Sequence, residues 1–150
     1  MKNSIVIFDI DGTLADCSHR LPFIKTEGEK KDWKSFFART KEDLLISHTA
    51  KIYGILHRLG WYLPVITGRP EKLRQDTLDW FKDHYLPLKT ENLHMRPDKD
   101  NRPDYEVKKD LFFSLKILPE DVLCAFEDRP QVIDMWKDLG ISVLNCGDET

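Results

Sequence analysis

Short continuous apolar runs alternate along this chain with longer stretches of helical periodicity. Ser4-Ile5-Val6-Ile7-Phe8 is unbroken and rich in β-branched residues, the pattern of a central parallel strand covered on both faces. From about residue 48 to 59 the spacing predicts a helix with Ile52, Ile55, Leu56 and Leu59 on one stripe and Gly60 ending it. Residues 62–66 read as a second strand, with Pro64 an awkward member because it has no amide to donate. Pro70 suits the opening of a helix that reaches about Tyr85, with Leu73, Thr77, Trp80, Phe81 and either His84 or Tyr85 turned inward. A weak strand covers residues 92–95, and residues 104–115 are helical, burying Val107, Leu111 and Leu115. A strand over 122–126, a helix over 130–139 using Val132, Ile133, Trp136 and Leu139, and a last strand over 141–144 complete the series.

This alternation predicts an α/β fold, a doubly wound, mostly parallel, Rossmann-like sheet in a single domain over residues 1–150. Residues 16–47 break the rhythm. They carry seven Lys or Arg against six Asp or Glu, yet contain Trp33, Phe36 and Phe37, which predicts a small helical insertion over one sheet edge.

Composition narrows the picture further. A net charge of −3 rules out a global basic field that would pull the protein onto nucleic acid, though not a local patch. The apolar run after Met1-Lys2-Asn3 is too short for a signal peptide, and no stretch is long enough to span a membrane. An odd cysteine count (Cys17, Cys124, Cys146) without metal-like spacing suits reduced thiols in a cytoplasm, with Cys124 a small core residue.

Ligands of open parallel sheets bind beyond the carboxyl ends of the strands. The residues that follow each predicted strand there are Asp9 and Asp11, then Thr67-Gly68-Arg69, then Glu127-Asp128-Arg129. Asp9 and Asp11 are one residue apart, so extended backbone points both side chains the same way. Two such carboxylates resist joint ionisation unless a cation neutralises them, and Asp128, with Glu127, completes an all-oxygen site suited to Mg²⁺. The ion would free Asp9 to act as a nucleophile, with Asp11 protonating the leaving oxygen and later activating water. A polar turn accounts for Gly12 but not for the downstream acids, and a calcium loop needs acids where Thr13 and Arg20 stand. Thr67 with free amides at the helix start near Pro70 would make an anion site, although it could equally cap that helix. Lys108 and Lys109 both fall in the first turns of a helix, where the dipole disfavours a cation and bound phosphate would compensate it. Asp128 could instead cap the helix that begins at Pro130.

With these clusters in place the chain resembles the haloacid dehalogenase superfamily. Phe8-Asp9-Ile10-Asp11-Gly12-Thr13-Leu14, Ile66-Thr67-Gly68-Arg69, Lys108 and Glu127-Asp128 keep its motif order over nearly the whole chain. The resemblance implies Asp9 as nucleophile, Asp11 as acid/base, Thr67 and Lys108 on phosphate, and Asp9, Asp11 (through its carbonyl) and Asp128 on Mg²⁺. Arg102-Pro103-Asp104-Tyr105-Glu106-Val107-Lys108 and Glu127-Asp128-Arg129-Pro130-Gln131-Val132-Ile133-Asp134-Met135-Trp136 look like the phosphatase domain of phage-type polynucleotide kinase–phosphatases. That likeness selects Lys108 over Lys109 and implies substrate-binding roles for Arg20, Gly68, Arg69 and Asp100. Glu127 stands where the family usually has aspartate, so it could reach the metal through water. No Gly-x-x-x-x-Gly-Lys-Ser/Thr occurs, which implies a stand-alone phosphatase or one whose kinase partner is another chain.

Three functions follow as expectations: a 3′-phosphatase of DNA or RNA ends, a phosphatase of small nucleotides such as a nucleoside monophosphatase, and a non-catalytic binding module. The last is disfavoured by the intact Asp9 and Asp11. A short insertion cannot seal a small substrate from water, so the open site favours a polymer end. Trp33, Phe36 or Phe37 would be available for base stacking and Arg20 for a phosphate, although at least two of the aromatics are spaced like a core face.

Overall fold

The computed structural model describes residues 4–25 and 27–147; Met1 to Asn3, which carried the expectation about a leader, lie outside the described residues. β1 spans Ile5–Phe8, and its successive side chains alternate between two cores. Val6 and Phe8 join one core with Tyr53, Trp80 and Phe81, whereas Ile7 joins the other with Phe112, Val132 and Trp136. A period of two thus explains why an uninterrupted apolar run is needed in a strand with helices on both sides.

The interrupting segment follows. β2 (Ala15–Asp16) leads into a 3-10 helix at Ser18–Phe23, then α1 (Trp33–Ala38), a 3-10 turn at Thr40–Glu42 and β3 (Leu44–Leu45), which pairs antiparallel with β2. The segment is therefore part helical and part hairpin, and not purely helical as its composition suggested. α2 (Ser47–Arg58), β4 (Val65–Pro70), α3 (Arg74–Asp83), β5 (Leu93–Arg96), α4 (Asp104–Ser114), β6 (Val122–Glu127), α5 (Pro130–Asp138) and β7 (Val143–Asn145) complete the chain. The five long-range strands form one parallel sheet in the order β5-β4-β1-β6-β7, so β1 is central and flanked by β4 and β6. At its end Phe8 stacks on Phe126 of β6, ring centroids 4.6 Å apart, and meets Tyr53 of α2 edge-on at 5.1 Å. No helix among the described residues is long and apolar enough to cross a membrane.

Four differences from the sequence pattern have physical causes. β4 starts at Val65, not at residue 62, because Pro64 offers only its carbonyl, which accepts from Phe8 N at 3.1 Å. The strand then runs through Thr67, Gly68 and Arg69, and α3 opens only at Arg74 after a 3-10 turn at Glu71–Leu73. Thr67 consequently sits in a strand and not at a helix start, and its hydroxyl accepts from Arg69 N at 3.1 Å. α2 is turned relative to expectation: Thr49, Ala50 and Tyr53 are buried while Ile52, Ile55 and Leu59 face outward, and of the expected stripe Leu56 alone packs against the core. The helix carries two apolar stripes, and the one with Tyr53 is buried because its ring fills the core while its hydroxyl donates to the Pro87 carbonyl at 2.7 Å. Finally, α5 is capped by Arg129 without a side-chain hydrogen bond, so Asp128 is not spent as a helix cap.

Candidate active site

Parallel strands end at one edge, and the turns after β1, β4 and β6 meet there. Asp9 follows β1 directly and is 4% exposed. Its Oδ1 accepts from Lys108 Nζ at 2.8 Å and its Oδ2 from the Thr13 hydroxyl at 3.2 Å. Lys108 reaches it from the second turn of α4, on the face that also buries Val107 and Phe112, and donates as well to Glu127 Oε2 at 2.8 Å. The other Glu127 oxygen accepts from the amides of Asp128 and Arg129 at 3.1 and 3.4 Å. Lys109 is exposed.

Asp9, Glu127 and Asp128 each bring a carboxylate oxygen within 4.8 Å of the others. Burial and the Glu127 and Asp128 charges raise the Asp9 carboxyl well above its ordinary range, against the pull of Lys108. Burial, then Glu127, pushes Asp128 up to about 6. Glu127 is held down: the Lys108 ammonium outweighs its burial. Lys108 in turn is raised, because Asp9, Glu127 and Asp104 overcome the cost of burying its charge. Among the described residues Asp128 Oδ1 is buried with no hydrogen-bond partner. Three crowded carboxylates, one lysine and an orphaned oxygen fit a hard dication, which takes oxygen ligands. Gly12 makes this crowding possible: its φ is +81°, and a Cβ there would lie 2.0 Å from Asp128 Oδ2.

Asp11 is directed elsewhere. Its carboxylate accepts from Arg69 Nη2 at 2.6 Å and Arg20 Nη2 at 2.7 Å, and these guanidiniums outweigh burial to hold it at about 2. Both arginines are fully buried, and both also meet Asp43, which lies just before β3. Asp43 accepts from Arg20 Nε at 2.7 Å and Nη2 at 2.6 Å, from Arg69 Nη2 at 3.1 Å, and pairs with His19 at 2.7 Å. Its carbonyl accepts from Trp80 Nε1 at 2.9 Å, which pins the segment to α3.

A third group closes the other side. Asp104, the first residue of α4, pairs with Arg96 and Arg129, and Arg96 Nε donates to the Gly68 carbonyl at 2.9 Å. A Cβ at Gly68 would fall 2.5 Å from Asp104 Oδ1, so only glycine admits this approach. Asp100 lies in the loop before α4, where it accepts from Arg102 Nη2 at 2.9 Å. These groups line one cleft of about 1040 Å³ whose opposite wall is apolar, built from Leu21, Ile24, Trp33, Phe36 and Phe37.

The structure therefore brings Asp9, Asp11, Thr67, Gly68, Arg69, Asp100, Lys108 and Asp128 to one cleft, with Glu127 and Arg20 buried behind it. Sequence reasoning missed Asp43, Arg96, Asp104 and the Thr13 contact. Asp104 alone had a usable signal, being one helical turn before Lys108 and on its face.

The family described as the phosphatase domain of polynucleotide kinase PNKP matches residues 3–149. A protein of Autographa californica nuclear polyhedrosis virus, named for polynucleotide kinase and RNA ligase activities, is 29% identical over 139 residues, 93% of this chain and 18% of the viral one. A chain of the Pnkp1/Rnl/Hen1 complex superposes with a TM-score of 0.78 at 25% identity, covering 99% of this chain and 47% of its own length. A haloacid dehalogenase-like hydrolase from Streptococcus pneumoniae shares the fold, with a TM-score of 0.66, 14% identity and coverage of 98% and 88%. The chain thus spans less than half of the first two proteins it resembles. Its strand order, its clustered carboxylates and these matches together show that the chain belongs to the PNKP phosphatase-domain family, as a haloacid dehalogenase-type phosphoric monoester hydrolase.

Proposed function

We propose that the chain removes 3′-phosphates from nucleic-acid ends, using Asp9 as nucleophile and Mg²⁺ as cofactor, with residues 16–47 as a cap over the site. The observation that carries the reading is the crowded trio of Asp9, Glu127 and Asp128 beside Lys108 on the floor of an open cleft. Asp9 and Asp128 would hold the ion, with the Asp11 carbonyl as a further oxygen. Both Glu127 oxygens already accept hydrogen bonds, which favours its acting on the ion through water. When bound, the ion offsets the repulsion between a carboxylate and a phosphate.

The residues then divide the chemistry. Lys108 and Thr67 orient the phosphate, Lys108 also neutralising charge that develops on it. The Asp9 carboxylate attacks phosphorus, forming an acyl phosphate as the ester P–O bond breaks. Asp11 gives a proton to the leaving oxygen and takes one from the water that next attacks phosphorus, regenerating Asp9. Asp11 is held ionised by Arg20 and Arg69, the state that suits the second step. For the first step Asp11 has to take up a proton from water, which requires those guanidiniums to loosen their hold on it; that proton then passes to the leaving oxygen.

The nucleic-acid end is favoured by the family. The test compares turnover of a 3′-phosphorylated oligonucleotide with that of free 3′- and 5′-mononucleotides, with and without Mg²⁺. The expected result is Mg²⁺-dependent turnover that prefers the oligonucleotide. A strong preference for a free mononucleotide overturns the polymer reading.

A further inference from the structure

The apolar wall of the cleft is not explained by phosphate chemistry, which needs only its charged floor. Trp33, Phe36 and Phe37 form one ring cluster, but their environments differ. Phe36 is 5% exposed and has the Arg20 guanidinium 4.3 Å from its ring centroid, so it is a structural floor beneath that arginine. Phe37 is half-buried against the main core. Trp33 is 44% exposed, although it stacks on Phe37 at 5.7 Å and meets Phe36 edge-on at 5.7 Å. Asp32 caps α1 by accepting from Ser35 N at 3.0 Å and from the Ser35 hydroxyl at 2.6 Å, so the helix begins at Trp33, which lines the cleft.

Of the exposed large hydrophobic side chains among the described residues, Trp33 is the one that lines this cleft. The chemistry beside it selects the ligand. The same cleft holds the anion-binding floor, and two ammonium groups lie over the ring cluster: Lys31 Nζ over the Trp33 ring, 5.7 Å from its centroid, and Lys72 Nζ over that of Phe37 at 6.0 Å. A base that stacks on Trp33 therefore has to move the exposed Lys31 ammonium off the ring. A ligand that is flat and apolar at one end, phosphorylated at the other and anionic between them satisfies all three features. Resting on the function proposed above, the geometry points to Trp33 as a stacking platform for a nucleobase at the phosphorylated end, with Lys31 and Lys72 facing its neighbouring phosphodiester. Stacking uses the π face that every base presents, so the platform tolerates any base and discriminates against an end without one.

The test uses the full chain and the variants Trp33→Ala, Trp33→Leu and Trp33→Phe, each checked for an unchanged melting profile. Substrates are a 3′-phosphorylated oligonucleotide and the same oligonucleotide with abasic residues at its last two positions. Losing one stacked base predicts a KM increase of roughly 5- to 150-fold on the base-bearing substrate. On the abasic substrate the KM should change by less than about twofold. Trp33→Phe should restore most of the loss and Trp33→Leu should not. Leucine keeps the apolar packing but has no ring, so rescue by leucine, or equal losses on both substrates, overturns the platform. Binding of a 3′-hydroxyl oligonucleotide, read by anisotropy of a 5′ label, tests the platform without catalysis. Weaker binding by Trp33→Ala supports it even if the native chain fails to hydrolyse 3′-phosphate ends, and equal binding overturns it.

Discussion

Two buried ionic clusters flank the floor of the cleft, and they are balanced in different ways. The first sets Asp9, Glu127 and Asp128 against Lys108, three carboxylates to one ammonium. The second sets Asp11 and Asp43 against Arg20 and Arg69, two of each sign. The consequences for protonation are opposite. Asp128 is pushed up to about 6, while Asp11, as deeply placed, is held at about 2. Their unmet groups are opposite too: a carboxylate oxygen, Asp128 Oδ1, in the first and a guanidinium nitrogen, Arg20 Nη1, in the second. Burial alone therefore does not set the chemistry of a carboxylate. The number and sign of its neighbours does, and only the first cluster calls for a cation from outside.

The sharpest break in this comparison is Asp9→Asn. The amide keeps the shape and removes a surplus charge, so the fold should persist while phosphatase turnover falls by roughly 10⁴-fold or more. Circular dichroism and turnover on a phosphate monoester read the two effects, and substantial residual turnover would remove Asp9 from the nucleophile role. The next largest effect is on stability. Asp43→Asn leaves two buried guanidiniums with one carboxylate, and breaking a buried pair from one side costs roughly 3–5 kcal/mol. Urea unfolding should show that loss, whereas Asp128→Asn in metal-free buffer should unfold no more easily than the native chain. If the two variants behave alike, the claimed difference between the clusters is wrong.

Adding Mg²⁺ at a hundredfold excess over its dissociation constant should stabilise the native protein by about 2.7 kcal/mol. Asp43→Asn should keep that gain and Asp128→Asn should lose most of it, measured as the shift in thermal midpoint. The smallest effect belongs outside both clusters. Ile55→Ser, on the outward face of α2, should change stability by no more than about 0.5 kcal/mol. A larger loss would mean that this face is covered in the folded chain.

How much of this was legible in sequence depends on the distance over which each feature is determined. Asp9 and Asp11 stand in a short motif directly after an apolar strand, and Glu127-Asp128 at the end of another, so local pattern and parallel topology suffice to bring them together. Asp43 is 23 residues from Arg20 and 26 from Arg69, and nothing local distinguishes it from the other acids of a charged segment. The α2 face was misjudged because Ile52, Ile55 and Leu59 make the more apolar stripe, while tertiary packing chose the stripe with Tyr53. The helix expected at Pro70 failed for a related reason. Proline tolerates both a helix start and a strand end, and the pairing of Pro70 with Arg96 on β5 decided for the strand.

The bond from Trp80 Nε1 to the Asp43 carbonyl joins the interrupting segment to a helix of the main body, and the Asp43 side chain in turn anchors both arginines. Half of that second charge network, Arg20 and Asp43, is thus carried by a segment outside the parallel sheet. Should the segment undock while the sheet stays intact, activity would be lost before the sheet unfolds.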